Sequence, residues 1–245
     1  MAKRDWRRFY AQEASLYDLS RYGSLYGRLF ERLHHCELYC LLSQYSPGRV
    51  LDVAAGTGHT SLLLASMGFN LTSIDLTKEM LSYAQDRLRK HGLGSNFMLG
   101  DAFQLPFRDY VFDVVVSTRF LHLWPERNQK ILLQEMIRVL KRGGILVVDF
   151  DNWWHWSIMR APTFLYQKVF RRGRIVEEYY SRSMRMVKIM ESEGLQILNV
   201  RGVGSYALII PLMISCKYAL SVARIIGYFP KHIMSEQFLI QGQKR

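Results

Sequence analysis

From Arg49 to Asp151, short apolar runs alternate with stretches of helical period. Val50–Ala54 is a β-rich run, and after the glycines that follow it the pattern turns helical as far as Met67. FNLTSID is the next apolar run and ends at Asp75. Thr77 stands where an N-cap belongs, ahead of KEMLSYAQDRLRKH, and Gly92 stands where that helix should stop. SNFMLGD and VFDVVVST read as a third and a fourth strand. Pro125 suits the first turn of ERNQKILLQEMIRVLK. Ile131, Met136, Ile137 and Leu140 are expected along one buried face of that helix, with Gly143 and Gly144 ending it. ILVVDFD reads as the fifth strand.

Five strand–helix alternations with mostly continuous apolar strands imply a doubly wound parallel sheet covered on both faces. Ligands of such sheets bind beyond the carboxyl ends of the strands. That directs attention to Ala54–Gly58, Asp75, Asp101, Ser117–His122 and Asp149–Asn152.

Past Asn152 the period is lost, in a segment rich in aromatics and arginine. LQILNVRG and SEQFLIQGQ read as sixth and seventh strands. The expected organisation is one domain over 1–245: an N-terminal helical cap (1–48), a ligand-binding core (49–151), a cap insertion (152–194), and C-terminal strands (195–245). Residues 203–229 are apolar but interrupted by Pro211, Lys217 and Arg224. Two cations seven residues apart on one helical face favour an amphipathic helix over a membrane span.

Composition narrows the partners. The formal charge of +12 favours an anionic partner: nucleic acid, a membrane surface or an acidic substrate. Three cysteines, Cys36, Cys40 and Cys216, do not make a disulfide framework and suit a reducing compartment. The first residues, MAKRDWRRFYAQEAS, lack the apolar core of a signal peptide. A cytoplasmic protein is expected.

The glycine turn is the most informative stretch. A triphosphate loop needs Lys-Ser/Thr after its last glycine, and Gly58 is followed by His59-Thr60. A dinucleotide fingerprint needs three glycines, and the third position falls on Ser61. Asp75 lies 19 residues after Gly56, at a strand end where a carboxylate accepts hydrogen bonds from a ribose diol. S-adenosylmethionine (SAM) is a nucleoside with such a diol and no phosphate to cradle.

VLDVAAGTGHT, TSIDLTKEML, GDAFQLPFRDYVFDVVVS and RVLKRGGILVV resemble, in order and spacing, the successive motifs of class I SAM-dependent methyltransferases. The run is most similar to the branch containing ubiquinone/menaquinone C-methyltransferases and many small-molecule methyltransferases. It covers about residues 16–150. The resemblance implies a seven-stranded Rossmann-like sheet with helices on both faces and a helical cap. It implies that Asp52, Ala54, Gly56 and Gly58 surround the methionine end of the cofactor and that Asp75 holds the ribose, with Leu76 beside the adenine. Asp101 and Ala102 match the pair at the adenine amino group, and Ser117 matches the residue ending the fourth strand. Tyr22, Thr57, Met80 and Phe103 complete the expected cofactor contacts. KRGG stands where the family usually has KPGG, in a turn away from the site. The expected cofactor is SAM, giving S-adenosylhomocysteine (SAH).

Methyl transfer is an in-line displacement at carbon that needs alignment and sometimes a base. His122, His155 and Asp149 are the candidate bases; His122 follows the fourth strand, on the face expected to meet the acceptor. No metal is expected: Asp151-Asn152 resembles one part of the catechol-type magnesium site, but Ser117-Thr118-Arg119 has no carboxylate where a second is required. Zinc at His35, Cys36 and Cys40 is disfavoured, their helix reading as ordinary core packing. STRFLHLW carries no Asn/Asp-Pro-Pro-aromatic loop of the amino-directed DNA enzymes, which disfavours nucleic acid. KRDWRRFY, NWWHWSIMRAPTFLYQKVFRRGR and the 203–229 stretch set tryptophan and cations beside apolar faces, the composition of a membrane-interfacial surface. The expected acceptor is an apolar small molecule, of a lipid or isoprenoid-quinone kind met peripherally on an anionic membrane, or a soluble aromatic or polyketide-like metabolite; a non-catalytic SAM-binding subunit and an RNA methyltransferase are the second alternative.

Overall fold

The computed structural model describes residues 3–153, 179–204 and 235–245. Two helices come first, α1 (Lys3–Tyr22) and α2 (Leu25–Leu42). Strands and helices then alternate: β1 (Arg49–Val53), α3 (His59–Ser66), β2 (Asn70–Asp75), α4 (Lys78–Lys90), β3 (Asn96–Leu99) and β4 (Phe112–Ser117). A 3-10 turn (Leu121–Leu123) leads into α5 (Glu126–Val139) and β5 (Leu140–Asp151). α6 (Ser183–Ser192), β6 (Leu195–Val203) and β7 (Gln237–Lys244) follow.

The seven strands form one sheet in the order β3-β2-β1-β4-β5-β7-β6. β1 to β5 pair in parallel, whereas β7 runs antiparallel to both β5 and β6. The order reverses after β1, so the crevice at the β1 and β4 tips is the topological switch point where such sheets take ligands. The doubly wound parallel sheet expected from the five apolar runs is what β1 to β5 form. β7 inserts between β5 and β6 by long-range pairing, for which the local sequence carries no signal.

Burial on both faces explains the apolar strands. Leu51, Val53, Val115, Leu146 and Val148 pack on one face with α5 and α6. Val50, Val114, Val116 and Val147 pack on the other with Leu38, Leu41 and Leu64. Each such side chain contributes about 1.5–3 kcal/mol of burial free energy.

Two local expectations are also corrected. α5 buries Gln129, Leu132, Leu133, Met136 and Ile137, while Ile131 is 40% exposed, one position off that stripe. Leu140 is already strand and pairs with Phe112. Lys141–Gly144 continue β5 through a register shift, so Gly143, at φ +72°, shapes a bulge and does not stop a helix. α2 faces the core through Leu29, His34, Leu38, Leu41 and Leu42, leaving Cys36 and Cys40 exposed. No helix among the described residues is long and apolar enough to cross a membrane. His155, most of the 152–194 insertion and the 203–229 stretch lie outside the described residues.

Candidate active site

The strand tips open into a cleft of about 1010 Å³. One side is the turn after β1. Ala54, Gly56 and Gly58 all have left-handed backbones, at φ +60°, +55° and +82°. At Gly58 a Cβ would lie 2.7 Å from the Cα of Ala84, so the absence of a side chain lets α3 start against α4. At Gly56 a Cβ would meet nothing within 4 Å: that side of the turn faces open space along the cleft.

Asp75 closes the same side. Its Oδ2 accepts from the Gly56 N–H at 2.9 Å and its Oδ1 from the Thr77 N–H at 2.9 Å. Burial raises its pKa, and the two backbone hydrogen bonds pull it back. Thr77 sits at the N-cap position of α4 as expected, but its side chain makes no capping bond. Leu76, Met80, Asp101, Ala102 and Phe103 continue the wall. Asp101 accepts from the Phe103 N–H at 2.9 Å, which fixes the loop after β3.

The structure thus gathers Tyr22, Ala54, Gly56, Thr57, Asp75, Leu76, Met80, Asp101, Ala102 and Phe103 around one cleft. Asp52, Gly58 and Ser117 stand outside that wall. Asp52 is buried and accepts from Ser61 Oγ at 2.6 Å, in a chain that continues to Ser73 and Ser95. Burial pushes its carboxyl up to about 7, with the Ser61 bond opposing and the Asp75 charge adding. Ser61, where a dinucleotide loop would have its third glycine, therefore ties β1 to β2. Ser117 donates to the Val53 carbonyl at 2.9 Å and ties the β1 and β4 tips together.

The N-terminal helices supply the lid. Asp18 on α1 accepts from Thr57 Oγ1 at 2.7 Å, meets His59 Nε2 at 3.1 Å and pairs with Arg87. Burial alone would raise its pKa, but the His59 and Thr57 hydrogen bonds and the charges of His59 and Arg87 hold it at about 2. His59 Nδ1 pairs with Glu31 of α2, so carboxylates flank both ring nitrogens. Arg87 also donates to the Thr57 carbonyl at 2.8 Å. The glycine turn is clamped between α1, α2 and α4. Tyr22 lies against His59 with ring centroids 4.1 Å apart.

The far side of the cleft is aromatic. Trp6 stacks on Tyr10 at 5.7 Å and approaches Trp124 at 6.0 Å. Phe103 meets Trp124 edge-on at 4.7 Å. Arg119 sits here with a left-handed backbone, φ +54°, and its guanidinium over the Tyr22 ring at 4.6 Å. Arg119 and Phe120 belong to the strand end Ser117–His122 that the sequence points to, whereas Trp6, Tyr10, Tyr17, His59 and Trp124 carry no local signal that assigns them to the cleft. Trp6 had been expected in a membrane-interfacial composition. It is only 5% exposed and turns inward, while Arg7 and Arg8 stay outside.

Of the candidate bases, the two among the described residues, His122 and Asp149, lie elsewhere. His122 is 5% exposed in the 3-10 turn and does not line the cleft. Asp149 is held by His34 Nε2 at 2.9 Å and by the Arg119 N–H at 2.7 Å. Asp151 accepts from Gln237 at 2.6 Å and Asn152 donates to the Ser235 carbonyl at 2.9 Å, so both brace β7. Among the described residues no three His, Cys, Asp or Glu side chains gather as metal ligands do.

The family described as "methyltransferase domain" matches residues 51–148. A demethylmenaquinone methyltransferase of Thermotoga maritima is 36% identical over 110 residues, 44% of this chain and 45% of that protein. An uncharacterized protein of Mycobacterium tuberculosis is 40% identical over 103 residues, 42% of this chain and 37% of the other. The chain thus spans less than half the length of these relatives. The crystal structure of magnesium protoporphyrin IX methyltransferase from Synechocystis with bound SAH aligns at TM-score 0.69 and 15% identity, over 100% of both chains. A SAM-dependent methyltransferase from Clostridium acetobutylicum aligns at TM-score 0.62 and 17% identity, over 96% of this chain and 99% of that one. The sheet order and these alignments give the chain the Rossmann-like fold of those methyltransferases.

Proposed function

We propose that this chain is a SAM-dependent methyltransferase acting on an apolar small molecule. The observation that carries the reading is the pairing of Asp75 with the open side of Gly56, at the tips of adjacent parallel strands. A carboxylate there accepts from a ribose diol, and the bare turn leaves room for the sulfur-bearing arm. SAM would supply the methyl carbon on a sulfonium leaving group.

The residues of the chain then have three tasks. Asp75 and the glycine turn would hold the nucleoside. Asp101, Ala102, Leu76 and Met80 would enclose the base. Trp6, Tyr10, Phe103, Phe120 and Trp124 would exclude water and position the acceptor in line with the methyl group. No carboxylate or imidazole of the described residues stands on the aromatic side as a free base, which favours an acceptor atom that is already nucleophilic.

The acceptor we propose is of the lipid or isoprenoid-quinone kind, met at an anionic membrane surface. The aromatic compartment, the net charge of +12 and the demethylmenaquinone methyltransferase relative support it. Isothermal titration with SAH and with NAD tests the cofactor assignment. Binding of SAH without NAD is expected; binding of NAD without SAH would overturn it.

A further inference from the structure

Among the described residues, the Arg119 guanidinium has no hydrogen-bond acceptor and no ion-pair partner. The Arg119 backbone N–H is bound to Asp149, but no carboxylate among the described residues lies within 4 Å of the guanidinium. The partly buried group faces the cleft across the Tyr22 ring. The other acidic groups nearby are committed: Glu31 to His59, Asp18 to Thr57, His59 and Arg87, and Asp149 to His34. A partly buried guanidinium without a partner is costly, and a left-handed backbone on a long side chain adds strain. Both are imposed from behind, because Asp149, itself braced by buried His34, pins the Arg119 amide. A second donor, Trp124 Nε1, is also buried without a partner in the same wall.

We propose that Arg119 anchors a carboxylate, and that the carboxylate belongs to the methyl acceptor. The acceptor is then an amphiphile: a flat apolar body against Trp6, Phe120 and Trp124, with an oxyanion on the guanidinium. The inference rests on the methyltransferase reading. It favours the acceptor over the cofactor's own carboxylate because of position. Along the sheet order β3-β2-β1-β4, the cofactor would span the tips of β3, β2 and β1. Arg119 lies beyond the tip of β4, two residues from its end and continuous with the aromatic turn. A sulfonium in the adjacent half would add a second positive charge facing the same space, and an anionic acceptor answers both.

The test is titration of SAH-loaded protein with 2-naphthoate and with neutral 2-naphthamide, in the wild type, Arg119→Gln and Arg119→Lys. Naphthoate should bind the wild type about tenfold tighter than naphthamide. Arg119→Gln should abolish that preference and leave SAH affinity within about twofold, while Arg119→Lys keeps part of it. Equal affinity of the two probes for the wild type, or no naphthoate binding at millimolar concentration, would overturn the inference without needing a variant. So would loss of SAH affinity in Arg119→Gln with affinity for 5′-methylthioadenosine unchanged, which would assign the guanidinium to the cofactor's carboxylate. Failure of the wild type to bind SAH would instead sink the methyltransferase reading itself.

Discussion

The two halves of the cleft are built by different means. The half around Asp75 is made of strand tips, left-handed turn residues and backbone hydrogen bonds. The half around Trp124 is made of side chains from α1, the loop after β3 and the segment around the 3-10 turn, held by ring contacts and by the Asp149–Arg119 clip. Backbone geometry gives the first half little freedom to vary. Side-chain packing lets the second half change with sequence while the fold stays. This is the division expected of a scaffold that keeps one ligand and varies another.

The comparison predicts where damage is greatest. Gly58→Val should be the most severe change, because its Cβ meets Ala84 at 2.7 Å on a left-handed backbone. A loss of about 2–4 kcal/mol in unfolding free energy is expected, with SAH binding abolished, read by denaturant melts and calorimetry. Asp75→Ala should weaken SAH by about 1.5–3 kcal/mol without unfolding the protein, since it removes a charged acceptor. Unchanged affinity would break the assignment of the ribose end.

The aromatic half should respond the other way. Phe120→Ala is expected to leave SAH affinity within about twofold and to cut methyl transfer about tenfold, through lost packing on the acceptor. An equal loss in both would mean that the halves are not separable. The smallest effect is placed on the clamp between them. The Asp18 carboxylate, held at about 2 against an ordinary 3.8, lends stability that is full above pH 3.8 and fades as pH falls through about 2. Thermal melts of Asp18→Asn should therefore lose less between pH 5 and pH 2 than those of the wild type.

The same contrast explains what the sequence discloses. The strand–helix alternation from Val50 to Asp151 is legible because apolar runs and glycine stops are local signals. Asp75 stands out because it ends a strand at a fixed distance from a glycine turn. Arg119 does not, since a left-handed arginine leaves no mark in composition. Trp6 and Asp18 are equally silent: they act through a docking of α1 that is set by tertiary contacts. The Asp149 pairing with His34 joins residues 115 apart, and β7 finds its place between β5 and β6 in the same non-local way. Asp52 and Ser61 carry the opposite lesson. A motif position near a ligand can serve by bracing the turn from behind.

The most direct test of the central claim is incubation of the purified protein with methyl-labelled SAM and an extract of its host cells, followed by partition between organic solvent and water. The account predicts label in the organic phase, in a molecule that mass spectrometry can name. Label in neither phase, from protein that still binds SAH, would contradict the assignment of a methyltransferase.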